Sequence, residues 1–207
     1  MKYEKKEIFA FIIVGIMFIG SSYFSLRHSD YLKEVIEFKG LAGMVVYVLL
    51  EVVSIVVVPV TTFPLLPIAV VLWGGFLAAV LNVIGWMIGA VIAFSLARKY
   101  GRPFVSRFIK SKYLIHLEKL VPQKNIFWSI VILRMSIPTD ILSYALGLFT
   151  NIPMNIYLLA TFFGLIPFAF IFAYSVTLSV WYQISALALS ASLIYYGYNR
   201  SKKLKSS

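Results

Sequence analysis

Cysteine is absent from the chain, which removes disulfides, thiolate nucleophiles and cysteine-ligated metals. Histidine is nearly absent. His28 stands in a hydrophilic stretch and His116 in a basic one, and both read as ordinary interfacial side chains. No HExxH, GxSxG, P-loop or GxGxxG pattern occurs, so neither an enzyme nor a bound metal or cofactor is expected. Acidic residues are scarce as well: eight Asp and Glu oppose nineteen Lys and Arg, a formal net charge of +11. In a soluble protein that excess would suggest nucleic acid. Here 61% of residues are hydrophobic and 13% charged, mean hydropathy is +0.90, and the basic residues stand between apolar runs. They read as topology signals and contacts to anionic lipid, with no nucleic-acid partner.

What is present is an integral membrane composition. A bilayer crossing takes about 20 apolar residues, and six candidate runs are visible, at 8 to 25, 41 to 58, 73 to 97, 126 to 149, 155 to 176 and 179 to 198. The first follows MKYEKKE as a signal peptide would. It is too long for one and lacks a small-x-small cleavage site, so it reads as a retained helix.

Lysine and arginine counts limit how these runs are threaded. Three lie at the N-terminus (Lys2, Lys5, Lys6), eight in the connector 98 to 124, and four in the tail (Arg200, Lys202, Lys203, Lys205). The positive-inside rule wants all three segments cytoplasmic. Six full crossings cannot do this. Parity returns if two runs enter and leave on one side, and proline marks them: Pro59, Pro64 and Pro67 after 41 to 58, and Pro138 within 126 to 149. Proline lacks the backbone donor and clashes with the preceding turn.

The expectation is therefore an all-α, polytopic, multi-pass protein with four spanning helices and two Pro-broken re-entrant hairpins, the first entered from outside and the second from the cytoplasm. A hairpin followed by a glycine-containing span occurs twice, at 41 to 97 and 126 to 176, as an inverted repeat would. The predicted organisation has an N-terminal span and external loop in 1 to 40 and a membrane domain in 41 to 180. Within that domain lie a hairpin (41 to 72), a span (73 to 97), a basic interfacial connector helix (98 to 124), a hairpin (126 to 149) and a span (155 to 176). A last span and basic tail fill 179 to 207. Both termini fall in the cytoplasm, and in a bacterium the membrane would be the plasma membrane.

Three ionisable side chains fall well inside apolar runs: Glu51, Arg134 and Asp140. Insertion scales charge about 2.5 to 3.5 kcal/mol for Arg or Asp at a helix centre. Such groups face a cavity or each other. A bend at Pro138 would bring Arg134 and Asp140 toward one space, and Glu51 would approach from the first hairpin. Arg134 suits a phosphate or carboxylate through its planar fork, whereas Asp140 and Glu51 are candidates for exchanging a proton. The competing reading has Arg134 and Asp140 simply satisfying one another. Ser136, Thr139, Ser143 and Tyr144 read as partners for backbone groups freed at Pro138, as do Thr61 and Thr62 at the first break.

In the 73 to 97 run, Gly85 and Gly89 form a GxxxG pair that permits close helix packing. Gly164 and Pro167 suggest a kinked span. The segment PFVSRFIKSKYLIHLEKLV reads as an interfacial helix on anionic headgroups.

The stretch PLLPIAVVLWGGFLAAVLNVIGWMIGAVIAFSLARKYGR resembles the first half of the DedA-like family, also called SNARE-associated or VTT-domain membrane proteins. The matching residues are the Gly75-containing G-G-F, the spaced glycines Gly85 and Gly89, and an F-x-L-x-R-x-x-G-R ending on Arg98, Gly101 and Arg102. LRMSIPTDILSYALGL, with the later G-x-x-P, is similar to the Tvp-type branch through Arg134, Pro138 (one residue wider), Asp140, Tyr144, Gly147, Gly164 and Pro167. The first hairpin departs from many members in lacking P-G-[DE], so the acid of that motif has no match. The resemblance implies two facing hairpins and translocation of a phospholipid or polyprenyl-phosphate lipid, with protons as a coupling partner.

The function expected is thus a lipid translocase or scramblase for a phosphate-bearing headgroup, with Arg134 on the phosphate. Two competitors are a proton- or ion-coupled carrier of a small solute, and a non-transporting membrane organiser acting through Arg107, Lys110 and Lys112. Self-association is open.

Overall fold

The computed structural model describes residues 5–28, 30, 40–57, 61–107, 125–134 and 139–189, with side chains from Ile12 onward. Every regular element among the described residues is helical. In chain order they are α1 (Lys5–Arg27), α2 (Leu41–Val56), a 3-10 turn (Phe63–Leu65), α3 (Leu66–Trp73), α4 (Gly75–Val105), α5 (Ile126–Arg134), α6 (Thr139–Phe149), α7 (Met154–Ser175) and α8 (Val180–Leu189). Pro59, Pro138, most of the basic connector, the stretch 31 to 39 and the C-terminal tail lie outside the described residues.

Two described helices, α4 and α7, are long and apolar enough to cross a membrane by length and composition. The 22 residues of α7 span roughly 33 Å at the α-helical rise. The surface agrees with a lipid setting: Val46 and Leu50 on α2, Phe76 and Ile84 on α4, and Phe162 and Phe163 on α7 are exposed, while Glu51, Asn82, Arg134 and Thr161 are buried. That inverts the usual distribution in water.

Glycine and proline punctuate the helices, not always as their positions in sequence suggest. The run 41 to 58 ends as α2 at Val56, ahead of the prolines. Pro64 and Pro67 then occupy the first turns of the 3-10 segment and of α3, where a missing N–H costs nothing and the fixed φ favours helix. They start helices. Trp73 closes α3 and does not open the next run, because Gly74 at φ +81° and ψ 159° turns the chain into α4. A residue with a Cβ is strained there. The helix α4 continues past the expected end at 97 and kinks at Gly101, φ +67°, just before Pro103. Run 126 to 149 is split as expected, with α5 ending at Arg134 and α6 beginning at Thr139. Pro167 lies inside α7, which runs through it.

The spine is α4. Its N-terminal half packs on α2 and α3 through Ala78, Ala79 and Leu81, and its C-terminal half meets α6 and α7 through Ala90, Phe94 and Ala97. Close approach depends on three glycines. A Cβ on Gly85 would lie 2.5 Å from Glu51 Cβ, one on Gly89 would lie 2.7 Å from Ile55 Cβ, and one on Gly147 would meet the Phe94 carbonyl and Ala97 Cβ. The GxxxG pair therefore seats α2 on α4. At the other end of the chain α8 joins α1, where Gly15 faces Leu187 and the Gln183 amide donates to Ser22 Oγ at 3.0 Å.

Candidate functional site

Arg134 is the last residue of α5, and its side chain turns inward beneath α7, where it is 4% exposed. It fits because Gly164 on α7 has no side chain: a Cβ there would stand 2.7 Å from Arg134 Cβ. Four hydrogen bonds hold the guanidinium. Nη1 donates to the Thr139 carbonyl at 2.9 Å and to Ser143 Oγ at 3.0 Å. Nη2 donates to Tyr157 Oη at 2.9 Å and to Thr161 Oγ1 at 3.0 Å. All four acceptors are neutral. The remaining donor, Nε–H, is buried with no partner among the described residues.

The acceptors are themselves fixed. Tyr157 is fully buried and donates its hydroxyl to the Ala90 carbonyl at 2.9 Å. Ser143 donates to the Thr139 carbonyl at 2.5 Å. Tyr157, Thr161 and Gly164 share one face of α7, spaced i, i+4 and i+7. An arginine removed from water without a counter-charge costs several kcal/mol even when hydrogen-bonded. Hydroxyls and a carbonyl offset part of that cost and leave the net charge standing.

Asp140 lies in the first turn of α6, half-buried, where the backbone amides of Ile141 and of Asp140 itself face its carboxylate. Free amides at a helix N-terminus suit a carboxylate. Among the described residues no ion pair joins Asp140 to Arg134, which acts on it through charge alone. The two heads share a neighbourhood, since Thr139 and Ser143 flank Asp140 and both bond Arg134.

Glu51 sits apart, on the face of α2 that meets α4, and is 2% exposed. The Trp86 indole donates to its Oε2 at 2.7 Å, and the hydroxyls of Tyr47 and Thr62 line the same pocket. Tyr47 also donates to Asn82 Oδ1 at 2.6 Å, while Thr62 bonds Ser54 Oγ at 3.2 Å. No hydrogen bond or ion pair among the described residues links Glu51 with Arg134 or Asp140, so the three charges occupy two pockets. Tyr144 of α6 bridges the halves by donating to the Val56 carbonyl, the end of α2, at 2.7 Å. It thereby serves backbone at the end of α2, the first break.

The remaining motif residues have structural posts. Arg98 Nη2 donates to the carbonyls of Thr150 and Ile152, both at 3.0 Å, tying the end of α4 to the loop between α6 and α7. Arg102 lies over the Phe149 ring at 5.2 Å, and Gly75 faces the Tyr174 ring. Tyr157, Thr161, Trp86 and Asn82 were not singled out by charge or proline placement. Their signal is a polar residue three or seven positions from a glycine on an apolar helix.

A family model for the VTT domain, the domain of the DedA and SNARE-associated proteins, matches residues 58–178. The match separates no branch of the family. No curated protein and no solved structure matches the chain.

Proposed function

Because the chain belongs to the VTT-domain family, a family of membrane-associated proteins, we propose that it is a lipid translocase that passes a phosphate-bearing headgroup between leaflets, with Arg134 as the phosphate contact. The observation that carries this reading is the buried guanidinium whose bonds among the described residues all end on neutral oxygens, while Nε–H has no acceptor among them. A permanent cation held that way attracts an anion through the Nε–H, while Ser143 and Tyr157, each donating to a backbone carbonyl, hold the planar fork in place.

In this reading α1, α4, α7 and the run 179 to 198, which α8 opens, cross the bilayer, and the pairs α2/α3 and α5/α6 are the two re-entrant hairpins of an inverted repeat. The helix ends at Val56 and Arg134 then open toward midplane, where irregular backbone is tolerated against protein or a wet cavity. Asp140, beside Arg134, and Glu51, in the opposite half, are the groups that respond to protons.

The test is headgroup transfer in liposomes reconstituted with the full-length protein and a panel of labelled lipids. Arg134→Ala and Asp140→Asn are each expected to fall to the rate of empty liposomes while keeping a cooperative melt. Wild-type rates in both folded variants refute the role of these residues. Proton-driven uptake of a soluble solute, with labelled phospholipid left unmoved, would favour the carrier reading.

A further inference from the structure

The Arg134 pocket is one end of a longer arrangement. The Tyr157 ring stacks on Phe94 with centroids 4.0 Å apart and planes 19° from parallel. Arg134 lies over the Tyr157 ring, its guanidinium carbon 5.5 Å from the centroid. The guanidinium of Arg98 lies over the Phe94 ring at 4.3 Å. Arg98, Phe94, Tyr157 and Arg134 thus form one column with a buried end and an exposed end.

Arg98 is fixed in place although exposed. Its two bonds to the Thr150 and Ile152 carbonyls, with the ring beneath, hold the guanidinium in one orientation. A side chain ordered in advance loses less entropy when it takes a ligand. The Arg98 bonds use Nη2 alone, and Nη1 and Nε meet no partner among the described residues. Neither arginine bonds a carboxylate among the described residues. Aromatic faces ease each cation but do not neutralise it, so two permanent positive charges stand at the ends of one stacked pair, and an anion at either end lowers the cost of that arrangement.

We propose that Arg98 is a second, outer anion station, which holds a phosphate-bearing group before Arg134 receives it. The inference rests on the reading of Arg134 as a phosphate contact and adds a capture step at the exposed end of α4. The chemistry recognised is a phosphate anion, whether on a lipid headgroup or free in solution. Lys99 is the natural control, being the next residue, exposed and cationic, and lying over Tyr100 outside the column.

The experiment counts anions bound per chain by full-length protein at equilibrium, with inorganic phosphate in detergent and, separately, with phosphatidylglycerol in phosphatidylcholine nanodiscs. The wild type is expected to bind two. Arg98→Gln and Arg134→Gln should each retain one, with the outer site at least tenfold weaker in Arg98→Gln, and Lys99→Gln should retain two. Arg98→Lys keeps the charge without the planar fork and should weaken the outer site by a smaller factor, which preserves the test if Arg98→Gln does not fold. Two sites filled by phosphatidylglycerol alone assign a lipid headgroup, and two filled by both probes assign phosphate of either origin. One site in the wild type, two in Arg98→Gln, or an equal loss in Lys99→Gln overturns the inference. A protein that binds two anions but moves no lipid would refute translocation and leave the outer station standing. One that moves lipid but binds a single anion, lost only in Arg134→Gln, would do the reverse.

Discussion

The two ends of α4 and their partner helices solve one packing problem with opposite charges. In the first, Glu51 of α2 lies against Gly85 of α4, and in the second, Arg134 of α5 lies against Gly164 of α7. In both, a short helix ending at a break delivers a buried ionisable side chain, and a glycine on the following long helix makes room for it. The halves differ in how that charge is met. Glu51 receives the Trp86 indole within a set of polar side chains on α2, α4 and the first break, whereas Arg134 occupies four neutral acceptors and keeps a donor to spare. The backbone plan is shared, and the half whose cation bonds only neutral acceptors, with Asp140 near but unbonded, is the one proposed to bind something from outside.

Truncation should expose that difference most. Arg134→Ala empties a pocket and strands Ser143, Tyr157 and Thr161, so a loss of about 3 kcal/mol is expected. Glu51→Ala strands chiefly Trp86 and should lose about 2 kcal/mol. Thermal unfolding of purified protein measures both, and a larger loss for Glu51→Ala would break the asymmetry. The shared plan makes the next effect equal on both sides: Gly85→Ala and Gly164→Ala each press a methyl on a packed Cβ, at about 1–3 kcal/mol. A melt that shifts for only one of them would show that the repeat is not one of packing.

Removing single donors should do less. Trp86→Phe and Tyr157→Phe keep a ring and delete one polar atom, with about 1 kcal/mol expected from each in the same melts. Only Tyr157→Phe should also slow headgroup transfer, since its hydroxyl bonds Arg134; an equal slowing by Trp86→Phe would merge the two pockets. Smallest is Tyr144→Phe, at about 1 kcal/mol or less, because the Val56 carbonyl stands at a helix end where water or a relaxed turn can replace the hydroxyl. A collapse of the melt in this variant would mean that the contact between halves, and not each half alone, carries the fold.

The charged members of these pockets were legible in the sequence because a charge in an apolar run is costly enough to need a reason. The split at 126 to 149 was legible through Pro138, and the close seat of α2 on α4 through Gly85 and Gly89. The neutral partners were not. Tyr157 and Thr161 cost little in an apolar helix and stand out only once α7 is wound and their common face with Gly164 appears. In sequence Pro64 and Pro67 look like breaks because proline both ends and begins helices, and only the end of α2 at Val56 decides between the two. Glu51 could be recognised as buried, but its separation from Arg134 depends on which helices pack, and hydropathy carries no record of that.

The central claim is that the second half recognises phosphate. The most direct measurement compares initial transfer rates in liposomes for two labelled lipids with the same acyl chains, phosphatidylglycerol and a galactosyl diacylglycerol, by wild type and Arg134→Gln. Wild type is expected to move phosphatidylglycerol at least tenfold faster than the galactolipid, with the preference gone in Arg134→Gln. Equal wild-type rates for the two lipids, or a preference that survives in Arg134→Gln, would contradict it.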